Sequence, residues 1–394
     1  MESVYIVSGV RTPIGKFGGT LAGMTAADLG VIVAKAAIER AGITPDKIEE
    51  AIFGNARQAG GGPNPGRQIG YRAGVPESSP AYTINKACAS GMKAIVLGYQ
   101  EILLGNADCI LAGGTESMSR VPYIVEGARW GIRMGNQELV DGMYRDGFAD
   151  PLSKMLMGAT ADKLGKLYNV SREEQDCYAQ STQLRAEAAT KEGRFKTELV
   201  PVEIKTKKGV ENFELDEHIR FGSTVEGMAK LAPVFAKDGT VTAGNSSGIT
   251  DGAAATVLVS GRKVKEWGLK PLARILGYSS AGVDPSIMGI GPVPATRKLL
   301  AKLDAKLPDF DLLEVNEAFA AQVLSCDREL HFDRDKLNVN GGAIALGHPI
   351  GCSGTRIVVT LIHALRNRGL GRGLATLCVS GGLGMALAVE SVSN

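Results

Sequence analysis

CASGMKAIVLGYQEILLGNADCILAGGTES, residues 88–117, and CSGTRIVVTLIHALRNRGLGRGLATLCVSGGLG, residues 352–384, read as two versions of one pattern in this 394-residue chain. Each passes from Cys through Ser-Gly into a long apolar helix, a glycine-containing turn, an apolar strand and a Gly-Gly turn. Ser90 and Gly113 lie 23 positions apart, Ser353 and Gly381 lie 28 apart. The natural reading is a duplicated α/β half. Strand–helix–strand units are common, so chance likeness stays open on the pattern alone.

Outward from the first copy the same alternation continues. VYIVSGV (4–10) has the pattern of a buried strand. Residues 25–41 have helical periodicity after a Thr cap, and Gly42 ends them. EAIFGNA (50–56) and ADCILAGG (107–114) read as strands around the 90–104 helix. This predicts an α/β fold with a mixed or parallel sheet. The expected organisation is a first half from 1–117 with 249–268, an inserted segment 118–248, and a second half 269–394. The insertion is more polar, and it should cover the strand ends where α/β ligand sites lie.

Composition excludes several classes. Lys+Arg 44 against Asp+Glu 42 leaves +2, and aromatics are 5%. Neither suits a nucleic-acid or anionic-membrane partner. No run approaches the ~18 apolar residues that span a bilayer. MESVYIVSGVRTPIG opens as a strand, not a leader, so the expected address is the cytoplasm. Six Cys without a C-x-x-C pair, and four His without H-E-x-x-H, predict neither a disulfide scaffold nor a metal site. Glycine contributes 51 residues, in short runs beside Cys, Ser and His. Such runs suit tight turns and close backbone approach to a ligand.

Four segments carry candidate chemistry. In Asn85-Lys86-Ala87-Cys88-Ala89-Ser90-Gly91, Cys88 opens a helix. The free N–H groups there lower a thiol pKa and favour a nucleophilic thiolate, and the Cys88 amide could hold an oxyanion. A small buried Cys at a helix start is the plainer alternative. In GGAIALGHPIGCSG (341–354), Pro349 biases His348 away from helix, so the imidazole sits on a glycine loop as a base or donor, or as a structural loop His. Cys378 ends an apolar strand before a glycine turn. Asn316, in EVNEAFA (314–320), is a plausible helix cap or an amide that orients a water or carbonyl. Cys109, Cys177, Cys326 and Cys352 read as core or helix-start residues. No G-x-G-x-x-G or P-loop supports a nucleotide enzyme.

Together these segments resemble the thiolases. The likeness runs from residue 3 to about 390. It rests on VRTPIGKFGG, N-x-x-C-x-S-G, GGTESMSR (113–120), TVTAGNSSGITDGAAA (240–255), MGIGPVPATRK (288–298), NEAFAAQ, NVNGGAIALGHPIGCSG and the final C-x-x-G-G-x-G. The branch most resembled is the biosynthetic acetyl-CoA acetyltransferases, with 3-ketoacyl-CoA thiolases next. The resemblance implies a five-layer αβαβα fold made of two halves, each with a five-stranded mixed sheet, plus an inserted loop domain. It implies Cys88 as acyl-carrying nucleophile, His348 as its activator and Cys378 as second acid/base. Asn316 would hold a water that, with His348, polarises the second thioester carbonyl. The amides of Cys88 and Ser380 would serve the other oxyanion.

The implied coenzyme A contacts are Arg220, Ala243, Ser247, Ala318 and Phe319, with Met157, Phe235 and Met288 along the pantetheine and acyl path. CoA and acyl-CoA would be substrate and product, with no further cofactor. Residues 127–143, with Arg129, Trp130, Arg133 and Met134, resemble a tetramerisation loop and imply a homotetramer. Two positions depart from the family pattern. Ser380 stands where the last motif usually has Gly. Leu156 stands where biosynthetic members usually have His, which favours a longer or less polar acyl chain. The alternatives are a degradative 3-ketoacyl-CoA thiolase and a non-catalytic binding protein on the same fold.

Overall fold

The computed structural model describes residues 2–207 and 209–392. Its first half lays down β1 (Val4–Arg11), α1 (Ala26–Arg40), β2 (Glu50–Gly54), α2 (Pro65–Arg72), β3 (Ala81–Ile84), α3 (Ser90–Leu104) and β4 (Cys109–Ser117). The chain then leaves the sheet, forms α4 (Met157–Leu167) and α5 (Arg172–Lys191), and returns as β5 (Thr250–Ser260). The second half consists of β6 (Ala273–Gly282), α6 (Pro292–Leu303), β7 (Leu312–Val315), α7 (Ala320–Leu330), α8 (Ile350–Arg368), β8 (Arg372–Val379) and β9 (Leu383–Ser391). Local signals set the helix ends. Thr25 and Asp28 form a reciprocal capping box at α1, and Ser171 and Glu174 form another at α5. Gly42 follows α1 at φ +70°.

The first sheet has the order β3-β2-β4-β5-β1. Its β3, β2 and β4 run parallel, while β5 and β1 add antiparallel. The second sheet repeats the plan as β7-β8-β9-β6, with one parallel pair and two antiparallel ones. Its fifth strand is reduced to a single bridge between Leu337 and Leu313. Asn338, at φ +45°, breaks the backbone there, and its side chain takes over the ladder by accepting from Val315 N and donating to Val315 O, both at 2.9 Å. The sheets are also not separate. Tyr5 and Ile6 of β1 pair with Arg274 and Ala273 of β6, joining them edge to edge.

Burial gives the layers. Leu29, Val33 and Ile69 from α1 and α2 cover the outer face of the first sheet. Val293, Leu299 and Val323 from α6 and α7 cover the outer face of the second. Met92 and Ile95 of α3 pack with Val358 and Leu361 of α8 between the two sheets. Every residue of β4 and β5 is buried, as strands covered on both faces require. Cys109, Cys326 and Cys352 are buried, but Cys177 is exposed on α5, because its position falls on the solvent side of that helix.

The two central helices meet through their first turns. A Cβ on Gly91 would lie 2.5 Å from Thr355 Oγ1 and 2.8 Å from Thr355 N. One on Gly354 would overlap the Met92 amide, and one on Gly114 the Gly351 carbonyl oxygen. The approach is backbone to backbone, so Cys88 and His348, each two residues ahead of its helix, come to one place. The segment between β4 and β5 is tied down by Arg11 at the end of β1. Its Nε donates to Glu198 Oε1 at 2.6 Å and its two terminal nitrogens to Asp216 at 2.7 and 2.9 Å, all buried.

Gly114→Ala should force the strand and helix apart and cost ~1–3 kcal/mol of overpacking. Gly23→Ala, where a Cβ meets nothing within 4 Å, should stay within ~0.5 kcal/mol of the parent. Thermal melts of the two variants check this, and equal midpoints would contradict the contact.

Candidate active site

A cavity of about 280 Å³ opens where the two halves meet, and Cys88, His348, Cys378 and Ser380 all stand on its wall. Cys88 is presented by an elbow between β3 and α3. Ala87 takes φ +44°, a left-handed conformation costly for a residue with a Cβ. Two members of N-x-x-C-x-S-G hold it there. Asn85 Oδ1 accepts from Ala87 N at 2.9 Å, while Ser90 Oγ accepts from Lys86 N at 2.8 Å and donates to Ala87 O at 2.6 Å. The motif is therefore an elbow-forming device as well as a carrier of sulfur.

His348 lies on the loop ahead of α8, with its backbone N–H donating to Gly248 O at 3.1 Å. Its Nδ1 is 2.6 Å from Ser353 Oγ, which is itself 2.9 Å from Pro349 O. In the tautomer with the hydrogen on Nδ1, that nitrogen donates to Ser353 and Nε2 keeps a lone pair. Burial, with Arg356 and Arg57 adding to it, pushes the imidazole pKa down to about 3. The ring is neutral at physiological pH and available as a base.

The Cys88 thiol does not follow the helix-terminus expectation. Burial raises its pKa above the ordinary 9.0, outweighing Arg57 and the amides of Ser380 and of Cys88 itself, which pull it down. Desolvation wins because the sulfur lies in an apolar pocket with Ala56, Met118 and Ile350. The resting pair is thus thiol and neutral imidazole, not thiolate and imidazolium. Cys378 is more deeply buried, among Met288 and Ala318. Burial first, then neighbouring Cys88, holds its thiol well above the usual range. Ser380 starts the turn between β8 and β9 and is not left-handed; Gly381 and Gly382 take φ +83° and +79°. A Cβ at 380 is therefore no obstacle, and its amide reaches the Cys88 sulfur.

Asn316 is not a helix cap. The helix starts three residues later, after Phe319, because the chain first crosses to pair Ser246 with Phe319. Asn316 is fully buried and is not among the residues lining the cavity, and neither its amide nitrogen nor its oxygen has a hydrogen-bond partner. Met157, Phe235, Ala243, Ser247, Met288, Ala318 and Phe319 all line the cavity. Leu156 and Arg220 do not. Met157, the first residue of α4, stands on the cavity wall, whereas Leu156, its cap in extended conformation (φ −72°, ψ 149°), does not. The inference of chain-length preference from Leu156 loses its footing. Arg220 is exposed, held by its backbone N–H to Gln183 Oε1 at 2.9 Å.

The sequence reading missed Arg57, Met118, Phe148 and Ile350, which also line the cavity. Met118 and Ile350 fall inside the quoted motifs, so they were within reach. Arg57 sits in a loop and Phe148 ends a short helical turn (Tyr144–Phe148), neither with a pattern to mark it. Among the described residues no group of three or more His, Cys, Asp or Glu is placed to hold a metal ion.

Comparison with known proteins agrees along the whole chain. Residues 4–262 match the thiolase N-terminal domain and 269–391 the thiolase C-terminal domain. An acetyl-CoA acetyltransferase of Cupriavidus necator is 51% identical over 99% of this chain and 100% of its own length. The crystal structure of the Bacillus anthracis acetyl-CoA acetyltransferase superposes with TM-score 0.97 at 48% identity, covering 100% of this chain and 99% of that one. Human mitochondrial 3-ketoacyl-CoA thiolase in complex with CoA superposes with TM-score 0.95 at 44% identity, covering 100% and 98%.

With a thiol pKa above 9, the thiolate fraction of Cys88 should keep growing as pH rises through the neutral range. Iodoacetamide alkylation of the peptide holding Cys88 should climb through pH 9 without an acidic plateau. A plateau below pH 7 would reveal a preformed thiolate–imidazolium pair instead.

Proposed function

This chain belongs to the thiolase family, and we propose that it is an acetyl-CoA C-acetyltransferase, joining two acetyl-CoA reversibly into acetoacetyl-CoA and CoA through an acyl-cysteine. The observation that carries the chemistry is the meeting of Cys88, His348 and Cys378 on one apolar cavity, with the Ser380 amide at the Cys88 sulfur. Cys88 attacks the first thioester as its proton passes to His348 Nε2 and on to the departing CoA sulfur. Because both partners start neutral, the charge appears only as the bond forms, where the amides of Cys88 and Ser380 can meet the oxyanion.

In the second half-reaction Cys378 gives its thiol proton to the neutral His348, and its thiolate takes the acetyl-CoA C2 proton. The carbanion attacks the acyl-enzyme, and the proton on His348 returns to Cys88 as its bond to the acyl carbon breaks. Burial suits Cys378 to this work: a thiol of raised pKa is a weak acid whose conjugate base is strong. We assign to His348 and to the unsatisfied amide of Asn316, by way of a bound water, the second carbonyl. CoA is substrate and product, and the chemistry calls for no further cofactor. The pantetheine runs past Met157, Phe235 and Phe319, and the exposed Arg220 is assigned to the charged end of CoA outside the cavity.

The cytoplasm is the proposed address; among the described residues no helix is long and apolar enough to cross a membrane. A homotetramer is the proposed assembly. Trp130 and Met134, exposed by 86% and 92%, give the 127–143 arm an apolar face that a second copy would cover.

Brief incubation with labelled acetyl-CoA should place the acetyl group on the peptide holding Cys88, and steady-state kinetics should be ping-pong. Label on Cys378 would overturn the assignment. Cys378→Ser should abolish condensation while leaving measurable acetyl exchange with CoA; an equal fall in both would remove the division of labour. Light scattering at micromolar concentration should give the mass of four chains, and a mass of two would reject the tetramer.

A further inference from the structure

Arg57 is a cation on the wall of an otherwise apolar catalytic cavity. It follows β2 in the loop Asn55-Ala56-Arg57, close enough to Cys88 and His348 for its charge to act on both. The nearest carboxylate is Glu116, and that group is already committed. Its oxygens accept from Asn55 Nδ2 at 2.6 Å, Ala56 N at 3.1 Å, Arg57 N at 3.0 Å and Gly351 N at 2.8 Å. Glu116 thus pins the two loops that carry Arg57 and His348, and it leaves the guanidinium without an ion pair among the described residues. The side chain makes one long hydrogen bond, from Nη1 to the carbonyl of Ala56 at 3.4 Å, and its buried Nε has no partner. Gly147 keeps the guanidinium in place by lacking a side chain: a Cβ there would stand 2.8 Å from Arg57 Nε.

The place of Arg57 within the cavity gives it a meaning. Cys88 packs against the cluster of Ala56, Met118 and Ile350, as does Phe148, and the Arg57 charge acts on its sulfur. Cys378 packs instead with Met288, Met157 and Phe319, toward the side proposed for pantetheine. Arg57 and Cys88 share the cavity wall, and the guanidinium is near enough for its charge to act on the sulfur. It is therefore within reach of the far end of a short acyl group on Cys88 that extends toward it. A half-buried guanidinium with no ion pair is best met by a planar carboxylate, which its terminal nitrogens can take from the cavity side. We propose that Arg57 recognises a carboxylate at the far end of the acyl chain, so that short acyl-CoAs with a terminal carboxylate are donors alongside acetyl-CoA.

This rests on the acyl-transfer reading and extends its substrate class. The steps stay balanced. The Cys88 sulfur bonds to the acyl carbon, the carbon–sulfur bond to CoA breaks, and the thiol proton leaves on CoA. Acetyl-CoA then loses its C2 proton, a carbon–carbon bond forms to the acyl carbon, the carbon–sulfur bond to Cys88 breaks, and the Cys88 sulfur recovers a proton. The product is a 3-oxoacyl-CoA with a free carboxylate.

The test uses the full-length protein with acetyl-CoA, succinyl-CoA and butyryl-CoA, reading the rate at which each loads the Cys88 peptide by mass spectrometry. Succinyl and butyryl groups have equal carbon number and differ in the terminal charge. The wild type should load succinyl about tenfold or more faster than butyryl. Arg57→Leu should lower the succinyl-to-butyryl ratio ~10–100-fold, with Arg57→Lys between. Succinyl loading no faster than butyryl in the wild type, while acetyl loads normally, overturns the proposal without any variant. An unchanged ratio in a folded Arg57→Leu protein overturns it too. If acetyl-CoA also fails to load Cys88, the acyl-transfer reading itself falls, and this extension with it.

Discussion

The backbone contact between the first turns of α3 and α8 is the constraint on which the site depends. Helices normally pack with their axes 8–10 Å apart, separated by side chains. Here glycines at 91, 114, 351 and 354 remove those side chains, and peptide groups of the two helices and of β4 meet directly. The loops ahead of the two helices are carried to the same point as a consequence. One holds a cysteine and the other a histidine. A single methyl group at this crossing would separate the halves by a distance that matters to proton transfer.

Burial then sets the electrostatics. The same packing that brings Cys88 and His348 together takes both out of water, and desolvation disfavours the charged form of each. A helix N-terminus and a nearby arginine are not enough to reverse this at the sulfur. The Cys88–His348 pair is neutral at rest, with backbone amides placed to meet charge that appears during reaction. Preorganisation of that kind costs nothing at the moment of bond formation. Arg57 is the exception, a permanent charge in an apolar pocket, and its isolation follows from Glu116 being consumed in holding the loops.

The rest of the fold steadies this arrangement. The edge pairing of β1 with β6 joins the two sheets. The buried Arg11–Glu198–Asp216 cluster ties the segment between β4 and β5 to the end of β1. That segment supplies Met157, Phe235 and Ala243 to the cavity wall, so its anchoring bears on the shape of the acyl and pantetheine path.

The sequence by itself determined the alternation of elements, the two matched halves, the helix caps at Thr25 and Ser171, and the positions at which reactive side chains open a helix or end a strand. These are local properties, written in period and in capping residues. Tertiary structure alone decided the rest. The family resemblance implies five strands in each sheet, yet the left-handed backbone at Asn338 leaves the fifth member of the second sheet as one bridge. Asn316 reads as a cap, but the pairing of Phe319 with Ser246 delays the helix. Leu156 and Met157 are neighbours in sequence, and only the backbone conformation at the start of α4 says which one faces the cavity. The Cys88 thiol is raised rather than lowered, because desolvation sums over groups from distant parts of the chain. Arg57 carries no motif at all. Its significance comes from what surrounds it, and no local pattern records that a guanidinium has been left in an apolar pocket with its nearest carboxylate already taken.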